Sequence, residues 1–138
     1  MQRQTILALD VGEKRIGVAV ADAELRFASP LLTLANDDNV WQELEKIIEG
    51  QHSVLVVVGL PRGLDGQETA QTKYAEVFMQ RIRANLGVPV RAQDEALTSV
   101  KAEEELRARG NTYEKGEVDA LAATYILEDY LAEPGGDK

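Results

Sequence analysis

The feature that most constrains the fold is the run Ser53–Leu60, which reads Ser-Val-Leu-Val-Val-Val-Gly-Leu. It is apolar and rich in β-branched residues, whereas a strand with one face in water alternates apolar and polar positions. Such a run is typical of a central strand in a parallel sheet that is covered by helices on both faces. The chain is therefore predicted to be an α/β protein.

The remaining strands and helices follow from the spacing of apolar residues. Further strands are predicted at Ile6–Leu9, Ile16–Ala21, Pro30–Leu34 and Val88–Ala92. Apolar periodicity and capping residues predict helices at Val40–Glu49, at Thr69–Leu86, from Thr98 or Ser99 to Gly110, and at Glu117–Leu131. The order β-β-β-α-β-α-β-α-α predicts a mixed five-stranded sheet, in which a three-strand meander is followed by parallel strands and helices flank the sheet.

Length and composition limit the kind of protein. The 138 residues are enough for one domain and too few for two, so we expect a single domain over residues 1–132 and a flexible tail over residues 133–138. No run approaches the roughly 20 apolar residues of a membrane span. Cysteine is absent and no secretory signal is visible, so we expect a cytoplasmic protein without a membrane partner.

The charge and the histidine content exclude several chemistries. The formal net charge is −9, so a nucleic acid must be bound through a local basic patch, through metal ions, or through both. The only histidine is His52 and there is no cysteine, which excludes the usual zinc site and leaves a Ser-His-Asp arrangement dependent on His52. Any metal ion would be a hard cation with oxygen ligands.

Carboxylates occur where the predicted fold brings chain segments together. Asp10 follows the first strand, and Asp94 and Glu95 follow the fifth, so these loops are expected at one edge of the sheet. Asp119 lies on an alanine-rich face of the last helix and is predicted to point inward toward Asp10; alternatively, it caps that helix and faces solvent. Asp10, Asp119 and either Asp94 or Glu95 would suit one or two Mg²⁺ or Mn²⁺ ions, and two such ions about 4 Å apart activate water toward a phosphodiester.

Four basic residues are placed to accompany these acids. Lys14, Arg15, Arg62 and Lys115 are predicted to flank the same edge and to hold backbone phosphates. The alternative interpretation of the N-terminal hairpin is that Asp10 only forms the turn and that Lys14 and Arg15 are solvated. With this local positive charge, nucleic-acid binding would not require a basic protein.

Four segments together resemble a known family, the YqgF family, whose members are also called RuvX. They are residues 9–22, residues 56–61 with Asp65-Gly66, Asp94-Glu95 with Leu97-Thr98, and residues 118–123 with Ile126-Leu127. The resemblance covers nearly the whole chain in the right order. It implies an RNase H-like fold and a metal-dependent nuclease, a hydrolase acting on ester bonds in the bacterial cytoplasm.

The resemblance also implies a site and a substrate. By motif position, Asp10, Glu95 and Asp119 match the family's catalytic and metal-binding acids, which favours Glu95 over Asp94. The implied cofactor is Mg²⁺ or Mn²⁺. The implied role is maturation of the 5′ end of 16S rRNA, with RNA and a ribosomal precursor particle as partners. The alternative is resolution of Holliday junctions, with branched DNA as the substrate.

Two departures from the family pattern keep a further function open. Ala96 stands where the family usually has Arg, and Arg62 stands where an apolar residue usually follows Gly-Leu-Pro. Ala96 loses a phosphate contact that Arg62 could restore from a neighbouring loop. Ala96 is the best support for a second hypothesis, a non-catalytic nucleic-acid or ribosome-assembly module. A third, an actin-like phosphotransferase, would need two lobes where 138 residues supply one. No dimer face is evident, and we expect a monomer or a weak homodimer.

Overall fold

A computed structural model describes residues 3–63, 65–96, 104, 107–108 and 115–133. These residues form one five-stranded sheet and three continuous helices. The strands are β1 (Thr5–Val11), β2 (Arg15–Asp22), β3 (Ala28–Ala35), β4 (Ser53–Arg62) and β5 (Val90–Ala96). The helices are α1 (Val40–Gln51), α2 (Ala70–Leu86) and α3 (Lys115–Ala132).

The strand pairing confirms the predicted mixed sheet. The spatial order is β3-β2-β1-β4-β5. Strand β2 is antiparallel to both β1 and β3, whereas β4 is parallel to both β1 and β5. The meander and the parallel part therefore meet at β1, and the all-apolar segment of β4 lies inside the sheet.

Two predicted segments lie mostly outside the described residues. Of the helix predicted to end at Gly110, only Glu104, Arg107 and Ala108 are described, and all three are helical. Of the predicted tail, only Glu133 is described, at the end of α3. None of the helices that the structure describes is long and apolar enough to cross a membrane.

The strand ends differ from the prediction where the acidic residues occur. Asp10 lies within β1, and Asp94 and Glu95 lie within β5, where they pair with Leu60 and Pro61 of β4. The prediction that Asp94 and Glu95 belong to a loop is therefore wrong. Since β4 extends to Arg62, its backbone continues to offer hydrogen-bond partners, and the polar end of β5 stays in the sheet.

Helices α1 and α2 cover one face of the sheet, which we call the large-residue face. Its core consists mainly of large aliphatic side chains from the strands, packed against Leu44, Phe78 and Ile82 of the helices. The strand members are Leu7, Leu9, Val11, Ile16, Val18, Val56, Val58, Leu60 and Val90. Burial of so much aliphatic surface is the main source of stability in a domain of this size.

Helix α3 covers the opposite face, which we call the small-residue face. Its core includes many alanines, namely Ala8, Ala19, Ala21, Ala28 and Ala123, with Ile126, Leu127 and Tyr130 from the helix. A Cβ atom built on Gly17 would overlap the backbone carbonyl of Asp119, and one built on Gly59 would overlap Ile126. At Gly17, where the overlap is with backbone, only glycine lets α3 come this close to the sheet, whereas at Gly59 the Ile126 side chain would have to move.

Candidate active site

Asp10 lies near the C-terminal end of β1, the middle strand of the sheet, opposite Gly17 of β2. Because side chains alternate along a strand, Asp10 shares the small-residue face with Ile6 and Ala8. Burial, and to a smaller extent the negative charge of Asp119, together raise the pKa of Asp10 from 3.8 to about 6. The ionised carboxylate is thus destabilised at this position, where a bound cation would stabilise it.

Asp119 lies on α3 and points at the same region. Its backbone carbonyl lies against Gly17, and its side chain is only 18% exposed. Oδ2 accepts a hydrogen bond from Nε of Arg15 at 2.6 Å, within an ion pair. The structure therefore places Asp119 toward the sheet, as predicted from its alanine-rich helix face, and not as a solvated cap.

The alternation of side chains along β5 separates Asp94 from Glu95. Gln93 is buried and donates a hydrogen bond to Glu133, next to the end of α3, at 2.9 Å, so Gln93 faces α3. Glu95, two residues further on, shares this face with Asp10. The Asp94 side chain points the other way, is 66% exposed, and accepts a hydrogen bond from Arg62 at 3.0 Å. Geometry thus favours Glu95 over Asp94, in agreement with the family motif.

The three acids nevertheless do not form one compact cluster. Strand β4 lies between β1 and β5, so the backbones of Asp10 and Glu95 are separated by two strand spacings, on the order of 10 Å. Within the described ranges, no group of three or more Asp, Glu, His or Cys side chains is arranged to hold a metal ion. The structure brings Asp10 and Asp119 together and places Glu95 on the same face further along the sheet, and their role as metal ligands stays a prediction.

The predicted phosphate-binding residues are in different surroundings. Arg15 is paired with Asp119, and Arg62 is paired with Asp94 and, at 3.8 Å, with Glu68. Lys14 is exposed in the turn between β1 and β2. Lys115 is the first residue of α3, and the structure describes its backbone only. Lys14 is therefore accessible to a phosphate, whereas Arg15 and Arg62 would have to exchange a carboxylate partner for it.

Two features of the site were not predicted from the sequence. The side chain of Asn36 donates hydrogen bonds to the backbone carbonyl of Gly12 and to the hydroxyl of Tyr74, both at 2.8 Å, and so supports the turn beside Asp10. The Arg15–Asp119 pair joins residues 104 positions apart, for which no local spacing gives a signal. Asparagine between a strand and a helix is common in turns and does not reveal such a contact.

The sheet has the strand order β3-β2-β1-β4-β5, and α3 packs closely over the face that carries Asp10. This architecture defines an α/β protein with an RNase H-like fold. The family model described as "RuvX: Holliday junction resolvase" matches residues 4–133, so the chain belongs to the RuvX family. This confirms the family proposed from the four sequence segments.

Curated relatives match over nearly the full length. A protein of Shewanella denitrificans is 44% identical over 132 residues, covering 93% of this chain and 94% of the relative. A protein of Chloroflexus aurantiacus is 40% identical over 135 residues, covering 95% of this chain and 88% of the relative. Both are named "Putative pre-16S rRNA nuclease".

Two solved structures show the same fold at low sequence identity. RuvC of Thermus thermophilus, in complex with a Holliday junction substrate, aligns with a TM-score of 0.55 and 18% identity, covering 89% of this chain and 91% of RuvC. The Fowlpox virus resolvase, in complex with Holliday junction DNA, aligns with a TM-score of 0.51 and 10% identity, covering 92% of this chain and 96% of the resolvase. At this identity the likeness concerns the fold alone.

Proposed function

We propose that this protein is a metal-dependent nuclease that hydrolyses phosphodiester bonds in the 5′-end maturation of pre-16S rRNA. The observation that carries the proposal is the proximity of Asp10 and Asp119 on the small-residue face, in a chain whose relatives over nearly the full length are named "Putative pre-16S rRNA nuclease". The precursor ribosomal particle is the corresponding partner, and the cytoplasm is the corresponding location.

The donor set fits a hard divalent cation. Asp10 and Asp119 offer only oxygen atoms, and their mutual repulsion contributes to the raised pKa of Asp10. A cation held by Asp10 and Asp119 would offset that repulsion, and Glu95 offers a further carboxylate on the same face. Mg²⁺ or Mn²⁺ bound there supplies the positive charge that activates water and stabilises the leaving oxygen of a phosphodiester.

The substrate strand would approach from the turn between β1 and β2. Lys14 is exposed there, and Arg15 is 39% exposed beside Asp119. With a net charge of −9, the protein repels nucleic acid at long range, so affinity must come from these local cations and from the bound metal. We therefore expect binding to depend on the divalent cation as well as on salt.

A second candidate function is cleavage of branched DNA, because the matching family model is described as a Holliday junction resolvase. The test uses two labelled substrates, a structured RNA with a 5′ precursor extension and a four-way DNA junction. The wild-type protein and Asp10→Asn are incubated with Mg²⁺, with Mn²⁺ and with EDTA. Asp38→Asn is the matched control, since Asp38 is an exposed aspartate ahead of α1.

We expect metal-dependent cleavage by the wild type and by the control, and none by Asp10→Asn. A preference for the RNA would support maturation of rRNA, and a preference for the junction would support the second candidate. Full activity of Asp10→Asn would disprove the proposed site. Binding of both substrates without cleavage at any metal concentration would instead indicate the non-catalytic module.

A further inference from the structure

The Arg15–Asp119 ion pair occupies the position where the proposed function requires a free carboxylate. Nε of Arg15 lies 2.6 Å from Oδ2 of Asp119. Arg15 begins β2 and, by alternation, shares the small-residue face with Gly17, the partner of Asp10. The guanidinium therefore forms an ion pair with one of the two acids that we assign to the metal.

The two partners differ in how far they can move. The backbone of Asp119 is held against β2, because its carbonyl fills the space left by Gly17. The Asp119 side chain is 18% exposed, whereas that of Arg15 is 39% exposed. Arginine also has a long flexible stem that can lead its head group into solvent. Arg15 is thus the partner that can leave, while Asp119 stays in place.

A divalent cation and the guanidinium compete for the same carboxylate. An ion held by Asp119 would lie close to the guanidinium, because Nε of Arg15 lies 2.6 Å from Oδ2 of the same carboxylate. Two neighbouring cations repel strongly in a partly buried site. A substrate phosphate offers Arg15 an alternative anionic partner, and guanidinium groups bind phosphate with paired hydrogen bonds. Exchange of Asp119 for a phosphate removes the competition.

We propose that Arg15 is a positioning residue that holds Asp119 in the resting protein and moves to a substrate phosphate, which releases Asp119 for the metal ion. The proposal rests on the proposed function, since it needs the metal to bind at Asp119. If Arg15 moves in this way, binding of the metal and binding of the nucleic acid strengthen each other. By thermodynamic linkage, RNA must tighten the metal by the same factor by which the metal tightens RNA.

The test measures the Kd of Mn²⁺ by electron paramagnetic resonance, without and with a saturating 2′-O-methyl phosphorothioate RNA oligonucleotide, which resists hydrolysis. It compares the wild type with Arg15→Gln and Arg15→Lys. Arg3→Gln is the matched control, because Arg3 also pairs with an aspartate, Asp22, at 3.3 Å, and its loss changes the net charge equally.

In the wild type, we expect the oligonucleotide to tighten Mn²⁺ binding by about tenfold, a typical coupling factor. Arg15→Gln should already bind Mn²⁺ about tenfold more tightly without RNA and gain less than about twofold from it. Arg3→Gln should behave as the wild type, and Arg15→Lys should be intermediate, since lysine keeps the charge without the paired donors. If Arg15→Gln does not fold, the test uses Arg15→Lys alone. The proposal then predicts that RNA tightens Mn²⁺ binding less in Arg15→Lys than in the wild type.

Wild-type Mn²⁺ affinity in the Arg15 variants, or a full RNA effect in them, would overturn the proposal. Asp10→Asn and Asp119→Asn separate it from the proposed function. If these two variants bind Mn²⁺ as the wild type does, the metal site itself is wrong. If they lose Mn²⁺ binding while the Arg15 variants match the wild type, only the role of Arg15 is wrong.

Discussion

The two faces of the sheet are built from side chains of different size. On the large-residue face, leucine, isoleucine and valine from the strands pack against the aromatic and aliphatic residues of α1 and α2. On the small-residue face, alanine and glycine let α3 approach until its backbone contacts β2. All three candidate acids, Asp10, Glu95 and Asp119, lie on this second face.

The comparison shows how one sheet serves two purposes. Large apolar side chains bury more area per residue and contribute more stability. Small residues contribute less, but they let a helix come so close that its Asp119 carboxylate lies near Asp10 of the sheet. We therefore expect substitutions on the first face to change stability alone, and substitutions on the second to change stability and activity together.

The largest loss of stability is expected for Phe78→Ala on the large-residue face. Phe78 is only 3% exposed, and truncation of a buried phenylalanine leaves a cavity that costs about 3–5 kcal/mol. Urea denaturation measures the change in the free energy of unfolding. Nuclease activity per folded molecule should stay at the wild-type level, and a specific loss of activity would show that the two faces are not independent.

A smaller loss is expected for Gly17→Ala on the small-residue face. The new Cβ would overlap the Asp119 carbonyl, and backbone cannot yield as a flexible side chain does, so overpacking should cost about 1–3 kcal/mol. Activity should fall as well, because α3 carries Asp119. The matched control is Gly50→Ala on α1, where a Cβ meets nothing within 4 Å. Equal effects of the two substitutions would refute the close packing of α3.

Asp10→Asn should increase stability in metal-free buffer near neutral pH. The pKa of Asp10 is raised from 3.8 to about 6 in the folded protein, so the folded state binds this proton more tightly than the unfolded chain does. The resulting contribution to the free energy of unfolding is fully present below pH 3.8 and is lost as the pH rises through about 6. Above that pH, the variant should be roughly 1–3 kcal/mol more stable than the wild type. Below pH 3.8 the difference should vanish.

Added Mn²⁺ should reduce the difference in stability between the wild type and Asp10→Asn, because it should stabilise the wild type and not the variant. Urea titrations at pH 3.5, 5, 6 and 8, with EDTA and with Mn²⁺, check both expectations. A variant that is less stable than the wild type at pH 8 would show that the ionised Asp10 is already compensated within the protein.

The smallest change in stability is expected for Asp94→Asn. Its partner is Arg62 and its side chain is 66% exposed, so loss of the pair should cost less than about 1 kcal/mol. Cleavage should also change little. Glu95→Gln, one residue further on, should reduce cleavage by about 100-fold if Glu95 contributes to the metal site. The reverse order of effects would make Asp94, and not Glu95, the candidate catalytic acid of β5.

Much of the fold could be predicted from the sequence because its signals are local. The apolar run of β4 and the hairpin of β1 and β2 are enough to predict the sheet. Gly87 adopts a left-handed conformation and ends α2 as expected. The end of β5 could not be predicted, because Val90–Ala96 becomes polar halfway and its continuation depends on pairing with β4. Polar composition indicates a loop only where no neighbouring strand supplies partners.

The candidate site was predictable in its residues and less so in its contacts. Asp119 was identified because a carboxylate on an alanine-rich helix face is unusual. The choice between Asp94 and Glu95 needed the register of β5, which alternation resolves only once the strand is known to extend through both. The partners of Arg15 and Arg62 depend on tertiary structure, and each proved to be an acid of the protein itself.

The position of Trp41 has a consequence for how this protein can be observed. It is the only tryptophan in the chain, and it stacks on Phe78 with ring centroids 4.9 Å apart, beneath the guanidinium of Arg81. Its fluorescence therefore reports the packing of α1 against α2. Departure of α3 from the opposite face would leave this signal largely unchanged, so amide hydrogen exchange along α3 is the measurement that would detect opening of the candidate site.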